Sequence, residues 1–273
     1  MPVSSAPRDA ARRLSATDLY REVAGEGDPV VLIHAGVCDS RMWDPQWATF
    51  PPVHRTLRYD IRGFGRSPIT SPVVENARDL IELLGEVGFS RTALVGVSLG
   101  GRIALEVTVA RPELVSALVL VGAGLPGQAP SDELNAFAAA EDEALERGDL
   151  DEAAEINVRM WADRSRRSPE QVDPSVRKLV HDMTRRSFEV QLPVPDAEER
   201  RLVPDLADRI SEIEAPTLIL VGEEDIDHMH RAADGLEREI SNTRRASIAN
   251  AAHVPNLERP EEFDALVLPF LAG

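Results

Sequence analysis

Val95-Gly96-Val97-Ser98-Leu99-Gly100-Gly101 decides how the rest of the chain is read. The stretch is G-x-S-x-G with a third glycine behind it. Thr92-Ala93-Leu94-Val95 leads in as a short β-favouring apolar run, and Arg102-Ile103-Ala104-Leu105-Glu106-Val107 leads out with apolar residues at helical spacing. A strand, a turn too sharp for side chains at Gly96 and Gly100, and a helix together form a nucleophile elbow. The elbow sets the Ser98 hydroxyl at the tip of a strand and at the N-terminus of a helix. There the first-turn N–H groups and the helix dipole favour developing negative charge. The same residues also read as a Gly-rich turn with an N-capping serine. The strand before and the helix after favour the elbow.

Working outward, the chain alternates strand and helix patterns. Leu19-Tyr20-Arg21-Glu22-Val23 reads as an edge strand and Pro29-Val30-Val31-Leu32-Ile33 as a buried one, ending in His34-Ala35-Gly36-Val37. A helix is expected near residues 40–50 and a strand from Val53 to Tyr59. The loop Asp60-Ile61-Arg62-Gly63-Phe64-Gly65-Arg66-Ser67 follows, then a helix from about Val74 to Val87 closed by Gly88. Beyond the elbow helix, Leu114 to Val121 is again an apolar strand. From about Leu125 to Asp208 the texture changes to Glu, Asp, Arg and Ala at helical periodicity, with Ser131-Asp132-Glu133 placed to cap the first of three to five short helices. Strand pattern resumes at Pro216-Thr217-Leu218-Ile219-Leu220-Val221 and ends in Gly222-Glu223-Glu224-Asp225. A helix over about His230–Ile240, a strand near Arg244–Ile248, the loop Ala249-Asn250-Ala251-Ala252-His253 and a helix from Pro260 to Leu271 complete the chain. This alternation predicts an α/β protein with a mostly parallel central sheet covered by helices on both faces. The expected division is a tail over 1–16, a core over 17–124 and 209–273, and a helical insertion over 125–208.

Composition narrows the functional classes. The chain has 273 residues, 43% hydrophobic and 28% charged, enough for one large α/β domain with an insertion. One cysteine, Cys38, leaves no intrachain disulfide, and no Cys/His cluster has the spacing of a zinc site. His228 and His230 are only two apart at a loop–helix boundary, a weak pattern for a metal. Residues 1–15 are polar and arginine-bearing, without the apolar core of a secretory signal. No apolar run reaches the roughly 18–20 residues of a membrane span. These features predict a soluble, cytoplasmic protein. A net charge of −17 argues against nucleic acid and anionic membranes as partners. The expected partner is a small-molecule substrate, with no cofactor and no metal. A homo-oligomer is left open.

In a parallel sheet, functional residues gather beyond the carboxyl ends of strands. Gly36, Ser98, Asp225 and His253 all fall just after predicted strands. A serine hydroxyl needs a base in hydrogen-bond contact and a third group to orient that base. His253 is placed to take the Ser98 proton and pass it to a leaving group, and Asp225 to hold the imidazole tautomer. The oxyanion of a tetrahedral intermediate needs two N–H donors, expected from Leu99 and Gly36. Glu224 and Asp227 compete with Asp225 for the acid's role.

These motifs, in this order, resemble the α/β-hydrolase superfamily over about 17–124 and 209–273. The resemblance rests on the strand ending His34-Ala35-Gly36, the loop Asp60–Ser67, the elbow, Gly222-Glu223-Glu224-Asp225 and Ala252-His253. It implies an α/β-hydrolase fold, a Ser98–Asp225–His253 triad with the family's spacing favouring Asp225, and a helical cap at 125–208. One departure stands out. The family usually has His-Gly where this chain has His34-Ala35, so the oxyanion loop fits only if φ is negative at Ala35.

The resemblance implies a cofactor-free serine hydrolase acting on a small carboxylic ester or lactone. Carbon–carbon bond hydrolases and cofactor-free perhydrolases share the elbow and triad, and a non-catalytic ligand receptor is the competing class. Val37, beside Gly36, and Trp161 in the insertion are candidate substrate-contacting residues, Trp161 reading equally well as a joint between cap and core. Cap arginines, including Arg164, Arg166, Arg167, Arg185 and Arg186, read as a site for a substrate carboxylate or as a solvated helix face, the commoner outcome. His34 reads as a brace for the oxyanion loop rather than a catalytic group, and Cys38, near the expected mouth of the site, as a reactive thiol or, the commoner case, a buried and inert one.

Overall fold

The computed structural model describes residues 18–163, 167, 169–194 and 197–273. The tail expected over 1–16, together with Arg164 and Arg166, lies outside them. In chain order the strands are β1 (Arg21–Ala24), β2 (Pro29–Ile33), β3 (Arg55–Tyr59), β4 (Val73–Val74), β5 (Thr92–Val97), β6 (Val115–Val121), β7 (Glu198–Glu199), β8 (Thr217–Gly222) and β9 (Thr243–Ile248). The helices are α1 (Asp44–Thr49), α2 (Asn76–Val87), α3 (Leu99–Ala110), α4 (Asp132–Glu146), α5 (Leu150–Val158), α6 (Pro174–Gln191), α7 (Leu206–Arg209), α8 (Asp227–Glu239), α9 (Pro255–Glu258) and α10 (Pro260–Leu271).

Seven strands form one sheet in the order β1-β3-β2-β5-β6-β8-β9, in which only β1, paired with β3, runs antiparallel. The central strands are apolar throughout because both faces are covered. Val31, Ile33 and Leu94 point into one core layer with Leu80 and Leu84 of α2, Ile103 of α3 and Leu236 of α8. Val30, Leu32 and Val95 point into the other, with Trp43 and with Phe263 and Val267 of α10. Burying this apolar surface, at about 25 cal/mol per Å², is the main force holding the layers together. No helix among the described residues is long and apolar enough to cross a membrane.

Most expected element boundaries hold to within a few residues; α9 and β4 were not expected, and three further differences stand out. The segment expected as one helix near 40–50 is a 3-10 turn over Ser40–Trp43 followed by α1. The helix expected from His230 begins at Asp227. The insertion also holds a two-residue strand, β7, which pairs with β4 in a small second sheet. Ser131 caps α4, its hydroxyl accepting the Leu134 N–H at 3.3 Å, and Gly88 closes α2 in the left-handed conformation.

Candidate active site

The elbow begins with sterics. A Cβ on Gly96 would lie 2.4 Å from the Gly100 carbonyl, and one on Gly100 would lie 2.3 Å from the Ile33 carbonyl oxygen. Only glycine lets β5, β2 and the start of α3 approach this closely. Ser98, between them, takes φ 51° and ψ −110°, a conformation L residues rarely adopt. Backbone held in such a state is a feature of functional sites when the surrounding structure enforces it. Here the Ser98 N–H is fixed to Val121 O at 2.9 Å and the Ser98 carbonyl receives the Arg102 N–H at 3.1 Å.

Asp225 follows β8 and His253 follows β9. Both are buried, and His253 Nδ1 lies 2.8 Å from Asp225 Oδ2. The other carboxylate oxygen accepts the Ile226 N–H at 2.7 Å. An ionised carboxylate only accepts, so Nδ1 carries the proton and Nε2 is left as a base. Nε2 is buried and makes no hydrogen bond; the Ser98 hydroxyl is not yet engaged with it. Ser98 and His253 line the same cavity, of about 300 Å³, and Ser98 with Leu99 also borders a second, of about 690 Å³, that holds Arg102 and Arg201. Of the competing acids, Asp227 is exposed at the start of α8 and Glu224 is half-buried.

Gly36 and Leu99 are also brought together. A Cβ on Gly36 would touch Leu99 Cβ at 3.6 Å. The turn carrying Gly36 is closed by Cys38 N–H to Ala35 O at 3.0 Å, and neither the Gly36 nor the Leu99 N–H enters the backbone hydrogen bonds of these turns. Ala35 does not take a positive φ, so alanine fits where the family usually has glycine. His34 braces the turn from behind. Its Nε2 accepts the Ile61 N–H at 2.8 Å, which puts the proton on Nδ1, 2.7 Å from Ala35 O. Burial holds His34 below its ordinary pKa, so it stays neutral in this role. Cys38 is fully buried, and burial pushes its thiol well up, away from the reactive thiolate.

Val37 and Trp161 both line the cavity. Trp161 sits in a single π-helical turn, Arg159–Asp163. Its ring faces the cavity, and its carbonyl accepts the His253 N–H at 3.2 Å. The Val37 carbonyl accepts the Thr184 hydroxyl of α6 at 2.8 Å. None of the described cap arginines faces this cavity. Arg185 pairs with Asp151 and Glu189, Arg186 reaches Gly65 O and Glu189, and Arg167 bonds Glu258. His228 packs against Gln128, and no group of three or more metal-ligating side chains occurs among the described residues.

Two parts of the site escaped the sequence reading. Glu258 accepts the Ala252 N–H at 2.8 Å, next to His253, and is itself held by Arg167. Glu141 of α4 lines the cavity with Asn157 of α5. Both acids sit in ordinary acidic stretches, and nothing in their spacing marks them as inward-facing.

Comparison with known proteins follows from this geometry. Residues 30–266 match the family described as "Alpha/beta hydrolase family". The chain is 28% identical to the pimeloyl-[acyl-carrier protein] methyl ester esterase of Nitrosospira multiformis, over 94% of this chain and 99% of that one. It is 25% identical to the carboxylesterase YbfK of Bacillus subtilis, over 100% of this chain and 90% of that one. Among solved structures it superposes on a thermophilic esterase from Thermogutta terrifontis with a TM-score of 0.77, at 24% identity, over 93% of each chain.

Proposed function

The chain belongs to the alpha/beta hydrolase family, and from that premise we propose that it cleaves a small carboxylic ester or lactone through an acyl-enzyme on Ser98. One observation carries the reading: the buried Asp225–His253 pair, 2.8 Å apart, presents an unpartnered Nε2 to the cavity that holds Ser98. A buried nitrogen without a hydrogen bond is costly, and a hydroxyl delivered to it at reaction accounts for its being kept. Similarity to an esterase and a carboxylesterase along nearly the whole chain supports the same class.

In this mechanism His253 Nε2 takes the Ser98 proton as Oγ attacks the carbonyl carbon. Asp225 stabilises the imidazolium that forms and keeps its ring in place. The N–H groups of Gly36 and Leu99 receive the oxyanion, each worth about 3–4 kcal/mol of transition-state stabilisation. The imidazolium then gives its proton to the departing alkoxide. Water repeats the sequence on the acyl-enzyme and frees the acid. The test is a panel of short-chain p-nitrophenyl esters and simple lactones, with fluorophosphonate labelling, on wild type and Ser98→Ala. Turnover and labelling should both vanish in the variant. Undiminished labelling of Ser98→Ala would remove the nucleophile from this reading.

A further inference from the structure

Two cavities meet at Ser98, and among the described residues the one that also holds His253 carries one further ionisable side chain, from the segment over 125–208. That group is Glu141. Asn157, itself 2% exposed, donates through Nδ2 to Glu141 Oε1 and to Ala153 O, the second at 2.9 Å. An amide nitrogen has two N–H groups, so both are used. Three other polar side chains around the space, Thr184, Ser187 and Gln191, each give a hydrogen to a backbone carbonyl. The Thr184 hydroxyl lies 2.8 Å from both Val37 O and Val180 O, and the Ser187 hydroxyl gives its proton to Thr184 O at 2.7 Å. Gln191 gives an N–H to Gly63 O at 3.1 Å. Away from Ser98 and the Gly36 N–H, the charged group that the cavity offers a ligand is an acceptor, the Glu141 carboxyl.

No lysine or arginine lines this cavity among the described residues; the adjoining one at Ser98 holds Arg102 and Arg201, both paired with Glu199. Burial raises the Glu141 pKa, Asp142 adds to the effect, and the Asn157 hydrogen bond opposes it. A carboxyl kept in a largely buried position without a cation costs stability. That cost is offset if a ligand group supplies the missing partner.

We propose that Glu141, held by Asn157, sets substrate specificity: the cap cavity takes a substrate arm ending in a hydrogen-bond donor and rejects one ending in a carboxylate. The donor classes that fit are primary or secondary amide, hydroxyl and ammonium. The inference rests on the ester-hydrolase reading above and narrows it. Esters and lactones of neutral or cationic, donor-bearing acids or alcohols become the substrate class. Half-esters of dicarboxylic acids, lactones bearing a free carboxylate and carboxylate-bearing carbon–carbon hydrolase substrates fall outside it. Two carboxylates in one small cavity cannot both stay ionised without a large penalty, whereas an N–H or O–H placed on Glu141 forms a charge-assisted bond.

The experiment uses two sets of near-isosteric esters, followed by acid release at constant pH. The first varies the acyl arm: methyl succinamate, methyl levulinate and monomethyl succinate, ending in amide, ketone and carboxylate. The second varies the alcohol arm with the acetates of glycolamide, hydroxyacetone and glycolate. In at least one set, kcat/KM should fall in the order amide, ketone, carboxylate, with amide above carboxylate by about tenfold or more. Glu141→Gln keeps a carbonyl acceptor and removes the charge, so the carboxylate ester should recover while amide stays above ketone. Glu141→Leu should collapse both preferences. The readout is a ratio within one protein preparation, so a general loss of activity in a variant cancels. Unchanged ratios in both variants, or a wild type that favours the carboxylate ester, would overturn the proposal. If Ser98 takes the fluorophosphonate label but the six esters are cleaved alike, or none is cleaved, the specificity proposal fails and the serine-hydrolase reading stands. If Ser98 takes no label and no ester turns over, both fail together.

Discussion

The Trp161 indole is stacked on the His253 imidazole, with ring centroids 4.3 Å apart and planes inclined by 35°. Phe137 meets the indole edge-on at 5.5 Å, holding it from the cap side. The base of the proposed triad is therefore seated between a core carboxylate and a cap aromatic ring, so cap and core act on the same proton transfer. Trp161 is carried by a π-helical turn, a local irregularity frequent at functional sites.

This stack gives the first prediction. A desolvated cation over an indole face gains about 1–2 kcal/mol, and the imidazolium forms only as Ser98 attacks. Trp161→Ala should lower kcat by about tenfold, and Trp161→Phe should restore most of it. Trp161 acts here as a positioning residue, so the division between constants is informative. Should KM rise in Trp161→Ala while kcat holds, the ring is only a wall of the pocket.

The acid is tested by the pair Asp225 and Asp227. Asp225 is buried against His253 and Asp227 is exposed two residues later. Asp225→Asn presents an amide where an acceptor is needed and favours the wrong imidazole tautomer. It should cost on the order of 10²–10⁴ in kcat, against little change for Asp227→Asn. Steady-state kinetics of the two variants side by side decide it, and similar losses in both would mean that the charge of the α8 N-terminus, not the Asp225 hydrogen bond, matters.

How much of this was legible follows from where the constraints act. The elbow is local: Gly96 and Gly100 leave no space for a Cβ, and that requirement is written as glycine in the sequence. The central strands are buried on both faces, so they read as unbroken apolar runs. Asp225 and His253 sit at strand ends, positions that α/β topology makes functional in advance of coordinates. The cap obeys no such rule. Glu141-Asp142-Glu143 is three acids in a row on α4, and helical phase alone does not say which one turns toward Ser98. The β4–β7 ladder is two residues long and β7 is Glu198-Glu199, with no strand signal to read. Arg167 read as one of several cap arginines, yet its side chain is buried against the core while those of Arg185 and Arg186 are exposed.

Asp39, in the turn after Gly36, is expected to make stability sensitive to acid. It caps the 3-10 turn by accepting the Arg41 N–H at 3.0 Å and grips the Arg41 guanidinium through both oxygens, at 2.9 and 2.7 Å. Burial works to raise its pKa, but the Arg41 hydrogen bonds outweigh burial and the carboxyl titrates below its ordinary value. For a depressed carboxyl, the stabilisation is fully present above the unfolded-state value, about 3.9 for aspartate. It is lost as pH falls through the lower folded-state value. Asp39→Asn should therefore lower Tm at pH 7, and the gap to wild type should narrow as pH drops below about 4. Thermal unfolding of both proteins from pH 7 to pH 3 measures this; a gap that stays constant would show that the capping geometry, not the charge, carries the effect.

The last prediction concerns the latch between cap and base. Arg167 bonds Glu258, Ala162 O and Asp163 O, and its Nη1 reaches Asn250 O at 3.2 Å, so one side chain ties the cap's π-helical turn to the loop before His253. Both charged groups are under 10% exposed, and Glu258 uses its other oxygen on Ala252 N–H. Burial raises the Glu258 pKa even against the opposing Arg167 charge. Removing the cation alone leaves that carboxylate buried and uncompensated, which costs about 3–5 kcal/mol in comparable pairs. Arg167→Met should therefore lower Tm more at pH 8 than at pH 5, because Glu258 can escape its charge by protonation at the lower pH. Arg167→Met combined with Glu258→Gln should recover much of the loss, since no buried charge remains and the Gln carbonyl still accepts from Ala252. A double-mutant cycle in Tm at the two pH values, with kcat read alongside, separates the terms. Additive losses with no pH dependence would mean that Arg167 holds the loop by packing and carbonyl hydrogen bonds alone, and that the Glu258 charge has no part in seating His253.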